Sequence, residues 1–247
     1  MEKSKVYYCD MHTGRMNLPE KLKYLMKKAG FENIDFEDKY AAVKIHFGEP
    51  GNLAYLRPNW AKVVCDYVKE LGGKAFLTDC NTLYVGGRKN ALDHLDSAYT
   101  NGYNPFQTGV HTIIADALVP VNGEYVKEAK IGQAIMDADI IISLNHFKGH
   151  ELTGFGGALK NIGMGCGSRA GKMEMHCSGK PVVNQNKCVF CGACRKMCAH
   201  GAISFNENKK ANINHDKCVG CGRCIGTCNF DAIENLEYSA NDILNKK

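Results

Sequence analysis

The sequence predicts an α/β protein: a Rossmann-like three-layer domain with a mainly parallel sheet over residues 1–180, then a small α+β domain over 181–237 and a tail at 238–247. Three observations predict it. Apolar strand-like runs alternate with segments of helical periodicity as far as Leu144. Polar or glycine-rich stretches follow the ends of those runs. Eight of the thirteen cysteines then fall between Lys187 and Ile233, in two copies of one spacing offset by 30 residues.

Ser4 to Met11 reads as a first strand, and Pro19 to Ala29 as a helix whose Leu22, Leu25 and Met26 share a face, closed by Gly30. Tyr40 to Phe47 has the pattern of a buried strand and runs into the turn Gly48-Glu49-Pro50-Gly51. The next helix carries Trp60, Val63, Val64, Tyr67, Val68 and Leu71 at helical spacing, with Pro58 near its start and Gly72-Gly73 after its end. Ala75 to Asp79 is a short strand. A strand, a helix and a strand with apolar runs make a parallel pair covered by a helix. Polar Asp79-Cys80-Asn81-Thr82 and Gly86-Gly87-Arg88 follow, then a helix from Ala91 to Tyr99. His111 to Leu118 reads as a strand, Gly123 as a hairpin turn and Ile131 to Met136 as a short helix. Asp139 to Leu144 is the most strand-like run, and it delivers Asn145, His146, Lys148 and His150 to its carboxyl end, where open α/β sheets bind ligands.

The first cysteine set is Cys188, Cys191, Cys194 and Cys198; the second is Cys218, Cys221, Cys224 and Cys228, with the same CxxCxxCxxxC spacing. The echo extends to Lys187-Cys188-Val189 against Lys217-Cys218-Val219, so one unit is duplicated. A zinc site uses four ligands, usually as two separated CxxC pairs, and the third cysteine of each run would be redundant. A cubane iron–sulfur cluster needs the third, because a tight loop covers three iron corners and a distant thiolate closes the fourth. The stretch resembles the bacterial two-cluster ferredoxins, in which the distant cysteine serves the other cluster. That resemblance implies two [4Fe-4S] clusters, one on Cys188, Cys191, Cys194 and Cys228 and the other on Cys218, Cys221, Cys224 and Cys198. The proline that usually follows the fourth cysteine is replaced by Ala199 and Asn229.

At 247 residues the chain has room for a second domain with its own core. Cysteines committed to clusters must be thiolates, so the setting is reducing, and the N-terminus has no apolar leader segment. The longest apolar run, Ile140 to Ile142, is far too short to span a bilayer, which leads to the expectation of a cytoplasmic protein without a membrane span. The net charge of +5 contains no basic block, so no nucleic-acid partner is implied. Between Lys187 and Glu234 there are seven bases and four acids, a balance that would steer an acidic redox protein such as a ferredoxin.

The stretch from His146 to Lys172 is rich in glycine and basic in charge. Gly154, Gly156 and Gly157 let backbone amides approach an anion, and Lys160 and Arg169 add charge, which points to a phosphate or carboxylate ligand or cofactor. It is not a Walker A loop, since position 166 is Cys and Lys172 is followed by Met173. Close packing alone also accounts for such glycines. His146 and His150 are four apart and could share a metal with His46 or His176, although Gly149 argues against a continuous helix there. Cys166 and Cys177 read as free thiols or ligands between domains; Cys9, Cys65 and Cys80 read as structural, with Cys65 on the exposed side of its helix.

Val43 to Glu49, Thr78 to Tyr84 and Lys148 through Lys172, followed directly by the duplicated cysteines, resemble the domain of unknown function 362 iron–sulfur proteins of anaerobic bacteria and archaea. The resemblance implies the two-domain architecture and an iron–sulfur redox role, but no substrate. Members usually continue beyond this point, so a shortened chain is expected. The leading expectation is an oxidoreductase passing low-potential electrons to or from a small anionic ligand, with His46, Asp79, Asn81, Lys148 and His150 as candidate contacts or proton donors. The alternatives are an electron carrier whose α/β domain docks a partner, and a metal-dependent enzyme in which the clusters are structural.

Overall fold

The structure, a computed structural model, describes residues 3–82, 86–88, 90–115, 118–122, 128–150, 154–176, 181–218, 224 and 227–235. Helix α1 (Leu18–Lys28) opens on a capping box, in which Asn17 Oδ1 accepts from Glu20 N (2.9 Å) and Glu20 Oε2 accepts from Asn17 N (3.0 Å). It ends at Gly30, whose φ of +86 suits glycine. Strand β1 (Tyr40–Lys44), helix α2 (Pro58–Glu70) and strand β2 (Lys74–Asp79) form the parallel unit expected, with Ala41 opposite Ala75.

Helices α3 (Ala91–Thr100) and α4 (Pro105–Thr108) lead to β3 (Thr112–Ile114). The antiparallel pair β4 (Leu118–Asn122) and β5 (Glu128–Gly132) and the one-turn α5 (Gln133–Met136) intervene before β6 (Ile140–Ser143). The central sheet runs β3-β2-β1-β6, every neighbour parallel. The chain therefore winds outward from β1 in both directions, and the order reverses between β1 and β6, the place where such sheets open a crevice at the carboxyl ends.

One face of the sheet buries Val43, Ile45 and Leu77 against Ala61, Val64 and Cys65 of α2. A second cluster, Cys80, Ala115, Ile135 and Cys166, joins the end of β2 to α5 and the segment after β6. Beyond β6 lie the hairpin β7 (Lys148–His150) and β8 (Gly154–Gly156), then α6 (Ala158–Gly163) and α7 (Arg169–His176). No described helix is long and apolar enough to cross a membrane.

Four expectations change. Ser4 to Met11 is not a strand: Val6 is 90% and Tyr8 84% exposed, because alternation alone makes no ladder without a neighbouring strand. Lys21 Nζ ties that segment down through Asp10 Oδ1 and the His12 carbonyl, both at 2.6 Å. The strand expected over His111–Leu118 ends at Ile114, where Ala115 N donates to the Asp79 carbonyl (2.9 Å), and Leu118 opens the hairpin. Ile131 and Gly132 belong to that hairpin and not to the helix, since Gly132 N donates to Cys166 O (2.9 Å). Cys65 is fully buried, because Ala61, Val64, Cys65 and Val68 form one stripe and α2 packs against α1 and α4 as well as the sheet.

The cysteine-rich part contains β9 (Pro181–Val183), α8 (Ala193–Met197), β10 (Ile203–Phe205), β11 (Ala211–Ile213) and β12 (Ile233–Asn235), with β9 paired to β12 and β10 to β11, both antiparallel. The repeat seen in sequence is repeated in bonding. Asn184 N donates to Ala232 O (2.7 Å), and 30 residues on, Asn214 N donates to Ala202 O (2.8 Å). Each half thus completes the other.

Candidate functional site

The carboxyl ends of β1 and β2 present Lys44 and Asp79, and both are buried, at 1% and 3% exposure. Lys44 Nζ lies 3.0 Å from Asp79 Oδ1 and donates to Asn161 Oδ1 at 2.8 Å. Asn161, on α6, spans the switch point: its Nδ2 donates to Ser143 Oγ (3.0 Å) and to the Leu144 carbonyl (3.1 Å) at the end of β6. From the loop after β2, Arg88 places Nη1 3.3 Å from Asp79 Oδ2 and Nε 2.8 Å from Glu49 Oε1. Glu49 Oε2 also accepts from Gly87 N (3.2 Å), which clasps the loop after β1 to the loop after β2.

Lys172, on α7, reaches the same place from the other side and donates to the carbonyls of Cys80 (3.1 Å), Asn81 (2.9 Å) and Gly165 (3.3 Å). Burial alone would raise the pKa of Asp79. The charges of Lys44, Lys172 and Arg88 outweigh it and hold the carboxyl well below the usual carboxylate range. His94, fully buried on α3, is pushed down to about 3 by desolvation, with the Arg88 charge adding to the effect. It is therefore neutral, with Nδ1 3.0 Å from Asn81 Oδ1 and Nε2 3.7 Å from Asp79 Oδ2. Among the described residues, Thr78 Oγ1, Asn81 Nδ2 and His94 Nε2 are buried without a hydrogen-bond partner.

Of the candidates read from sequence, Asp79 and Asn81 lie inside this charged knot, beneath the surface. His46 stands at the surface just beyond β1, and its Nδ1 accepts from Gly48 N (3.0 Å). Desolvation by the protein packed around it, then the Arg88 charge, lower its pKa. Lys148, His150 and Lys160 come together: Lys160 Nζ is 2.6 Å from His150 Nε2, and a Cβ on Gly156 would stand 3.7 Å from Lys148 Cγ and 3.9 Å from Lys160 Cδ. Gly154 (φ +73) opens β8 and Gly157 precedes α6. Arg169 opens α7, which packs on β5.

Among the described residues no three of His, Cys, Asp and Glu stand close enough to hold a single metal ion; the side chain of His176 and all of Cys177 and Cys221 lie outside them. Sequence reasoning did not single out Lys44, Arg88, His94, Asn161 or Lys172. Lys44 left one trace, as the only charge within the apolar run Ala41 to Phe47 apart from His46. His94 and Lys172 left none, because their partners lie 15 and 93 positions away.

The cysteines form a second centre. Cys188, Cys191, Cys194 and Cys228 line one cavity, together with Val183, Phe190, Phe205 and Phe230, and Cys198 is not in its wall. Burial pushes the Cys194 thiol up, and the neighbouring Cys191, Cys188 and Cys228 push it further, while a backbone N–H bond from Arg195 opposes them. Backbone amides reach the sulfurs in matching ways: Ala202 N donates to Cys198 Sγ and Ala232 N to Cys228 Sγ, both at 3.3 Å, and Ala211 N to Cys188 Sγ at 3.4 Å. No disulfide joins the described cysteines.

The family model described as Domain of unknown function (DUF362) matches residues 41–227. The chain belongs to this family. The match covers the parallel sheet, the charged knot and most of the cysteine-rich part. No curated protein matches. Eight chains of solved structures match, among them the lactate racemase apoprotein from Thermoanaerobacterium thermosaccharolyticum, with a TM-score of 0.43 and 10% identity over 89% of this chain and 44% of that one. This DUF362 member thus spans less than half the length of that protein.

Proposed function

We propose that this family member is an iron–sulfur redox protein that passes low-potential electrons between two [4Fe-4S] clusters and a small anionic ligand held by the α/β domain, in a reducing compartment such as the cytoplasm. The observation that carries the reading is the cavity shared by Cys188, Cys191 and Cys194 from one copy and Cys228 from the other. Four cysteines around one apolar cavity, three from one copy of the repeat and one from the other, fit a polynuclear group with a thiolate at each corner.

When bound, such clusters supply one-electron transfer at a potential set by hydrogen bonds to sulfur and by solvent access. In this chain the Ala202, Ala211 and Ala232 amides provide those bonds, and Phe190, Phe205 and Phe230 restrict water at the first site. The second cluster falls to Cys218, Cys221, Cys224 and Cys198 by the same duplication. In the α/β domain, His46 and the grouping of Lys148, His150 and Lys160 flank the carboxyl ends of β1 and β6 and offer positive charge and donors to a carboxylate or phosphate. The seven bases against four acids between Lys187 and Glu234 favour an acidic redox protein as the electron partner.

A carrier whose α/β domain only docks a protein is the second reading. It is favoured by the exposed Phe147–Phe155 stack, with rings 5.6 Å apart. Iron and sulfide analysis of protein purified without oxygen tests the first reading, with eight of each expected. In paramagnetic resonance after reduction, Cys228→Ser should alter the signal of the cluster held by Cys188, Cys191 and Cys194, and Cys198→Ser the other. Bound zinc, or identical spectra for the two variants, would sink the crossed assignment.

A further inference from the structure

The turn after β1 fixes the chemical state of His46. The backbone N–H of Gly48 donates to His46 Nδ1 at 3.0 Å, and a backbone amide is a donor only. Nδ1 must then present its lone pair, which leaves the proton of the neutral ring on Nε2. The turn that delivers this N–H is closely packed. Gly48 has φ +85, and a Cβ there would meet Asn101 Nδ2 and Tyr55 Cδ1, both at 2.7 Å. Asn101 Nδ2 also donates to the Phe47 carbonyl at 2.8 Å, anchoring the turn to the end of α3.

The surroundings oppose protonation as well. The charged and titratable groups facing the ring are Arg88, Lys44, Lys148 and His94 on one side of the balance and Asp79 on the other. Asp79 is already shared between Lys44 and Arg88, and Glu49 is held by Arg88. A proton on Nδ1 would break the Gly48 bond and set two N–H groups face to face among cations. The ring is exposed, and Nε2 has no partner among the described residues.

We propose that His46 is a permanently neutral imidazole whose Nε2–H donates to an anionic oxygen of a small carboxylate or phosphate ligand at the β1/β6 switch point. The ligand half of this rests on the anion-binding reading above; the tautomer does not. His46 is then a fixed hydrogen-bond donor beside Lys148, not a base. It is also no Nε2 metal ligand, because that role would require the proton on Nδ1, where the Gly48 amide already points.

The test uses protein with 15N-labelled histidine and long-range 1H–15N correlation spectra from pH 5.5 to 8, with His46→Gln identifying the signals. The Nε2–H tautomer throughout, without titration in that window, is expected. An Nδ1–H tautomer, or a midpoint near the ordinary histidine value of about 6.5, overturns the proposal. Acetate and inorganic phosphate are then titrated separately, which also separates the two ligand sources. A shift of the Nε2–H signal with the tautomer unchanged supports the donor role, and His46→Ala should weaken that anion roughly tenfold or more. Conversion to imidazolium on adding anion overturns it. If the tautomer holds and neither anion moves the signal, the ligand half and the anion-binding reading fall together while the fixed tautomer stands.

Discussion

Replacing Asp79 by Asn keeps its shape and removes one charge, and the surroundings determine what that removal costs. Lys44 Nζ at 3.0 Å and Arg88 Nη1 at 3.3 Å would lose the one fully buried carboxylate among the described residues, with the two cations themselves at 1% and 2% exposure. Breaking a buried pair strands a desolvated charge and costs about 3–5 kcal/mol. For a chain of this size that corresponds to a fall in Tm of roughly 6–20 °C. Trp60, the only tryptophan, lies on α2 within the α/β domain, so urea unfolding followed by its fluorescence reads this domain directly.

The pH dependence has a definite sign. A depressed carboxyl pKa contributes stability above the unfolded value of 3.8 and loses it as pH falls through the folded value. The gap between wild type and Asp79→Asn should therefore stay constant with respect to this group from pH 7 to 5 and close only at strong acid. Adding Lys44→Met to Asp79→Asn removes one stranded cation, and the double variant should be more stable than the sum of the two single losses by about 1–3 kcal/mol. A loss below about 1 kcal/mol for Asp79→Asn would show that water or a rearranged partner already neutralises the knot, refuting its description as desolvated.

Three further outcomes are expected. His94 is buried with its pKa lowered to about 3, so protonation favours the unfolded chain below about 6.5; going from pH 7 to 5 should cost about 2 kcal/mol on its account, and urea curves for His94→Gln should lose that part of the slope. Gly165→Ala should destabilise by about 1–3 kcal/mol in the same assay, since its Cβ would clash with the Asn161 carbonyl and stand 2.8 Å from Lys44 Nζ. Burial holds the thiols of Cys65 and Cys80 at about 12, so mass spectrometry after brief alkylation of the native protein at pH 8 should find both unmodified, and labelling of either at the rate of the denatured protein would contradict their burial.

What the sequence determined by itself was local. The helical stripe of α2 between Pro58 and Gly72 and the apolar runs of β1, β2 and β6 depend on residues a few positions apart, so their periodicity can be read directly. The cysteine spacing is equally local, since each CxxC loop is set by its own turn. The site was legible where a residue ends a strand or lies just past its end, as Asp79 and His46 do. It was not legible where chemistry depends on which distant segments meet. Asn161 closes on Lys44 across 117 positions, and Lys172 on Asn81 across 91.

Those meetings follow from the strand order alone: β1 lies between β2 and β6, so the ends of three strands separated by a hundred residues become neighbours. A lysine in a strand looks like a solvated edge residue until the sheet encloses it. It then needs a buried carboxylate, because an unpaired charge cannot be left without water. For the same reason Ser4 to Met11 misled: its alternation suits a strand, but a strand also requires a neighbour with free amides and carbonyls, which only the tertiary arrangement supplies.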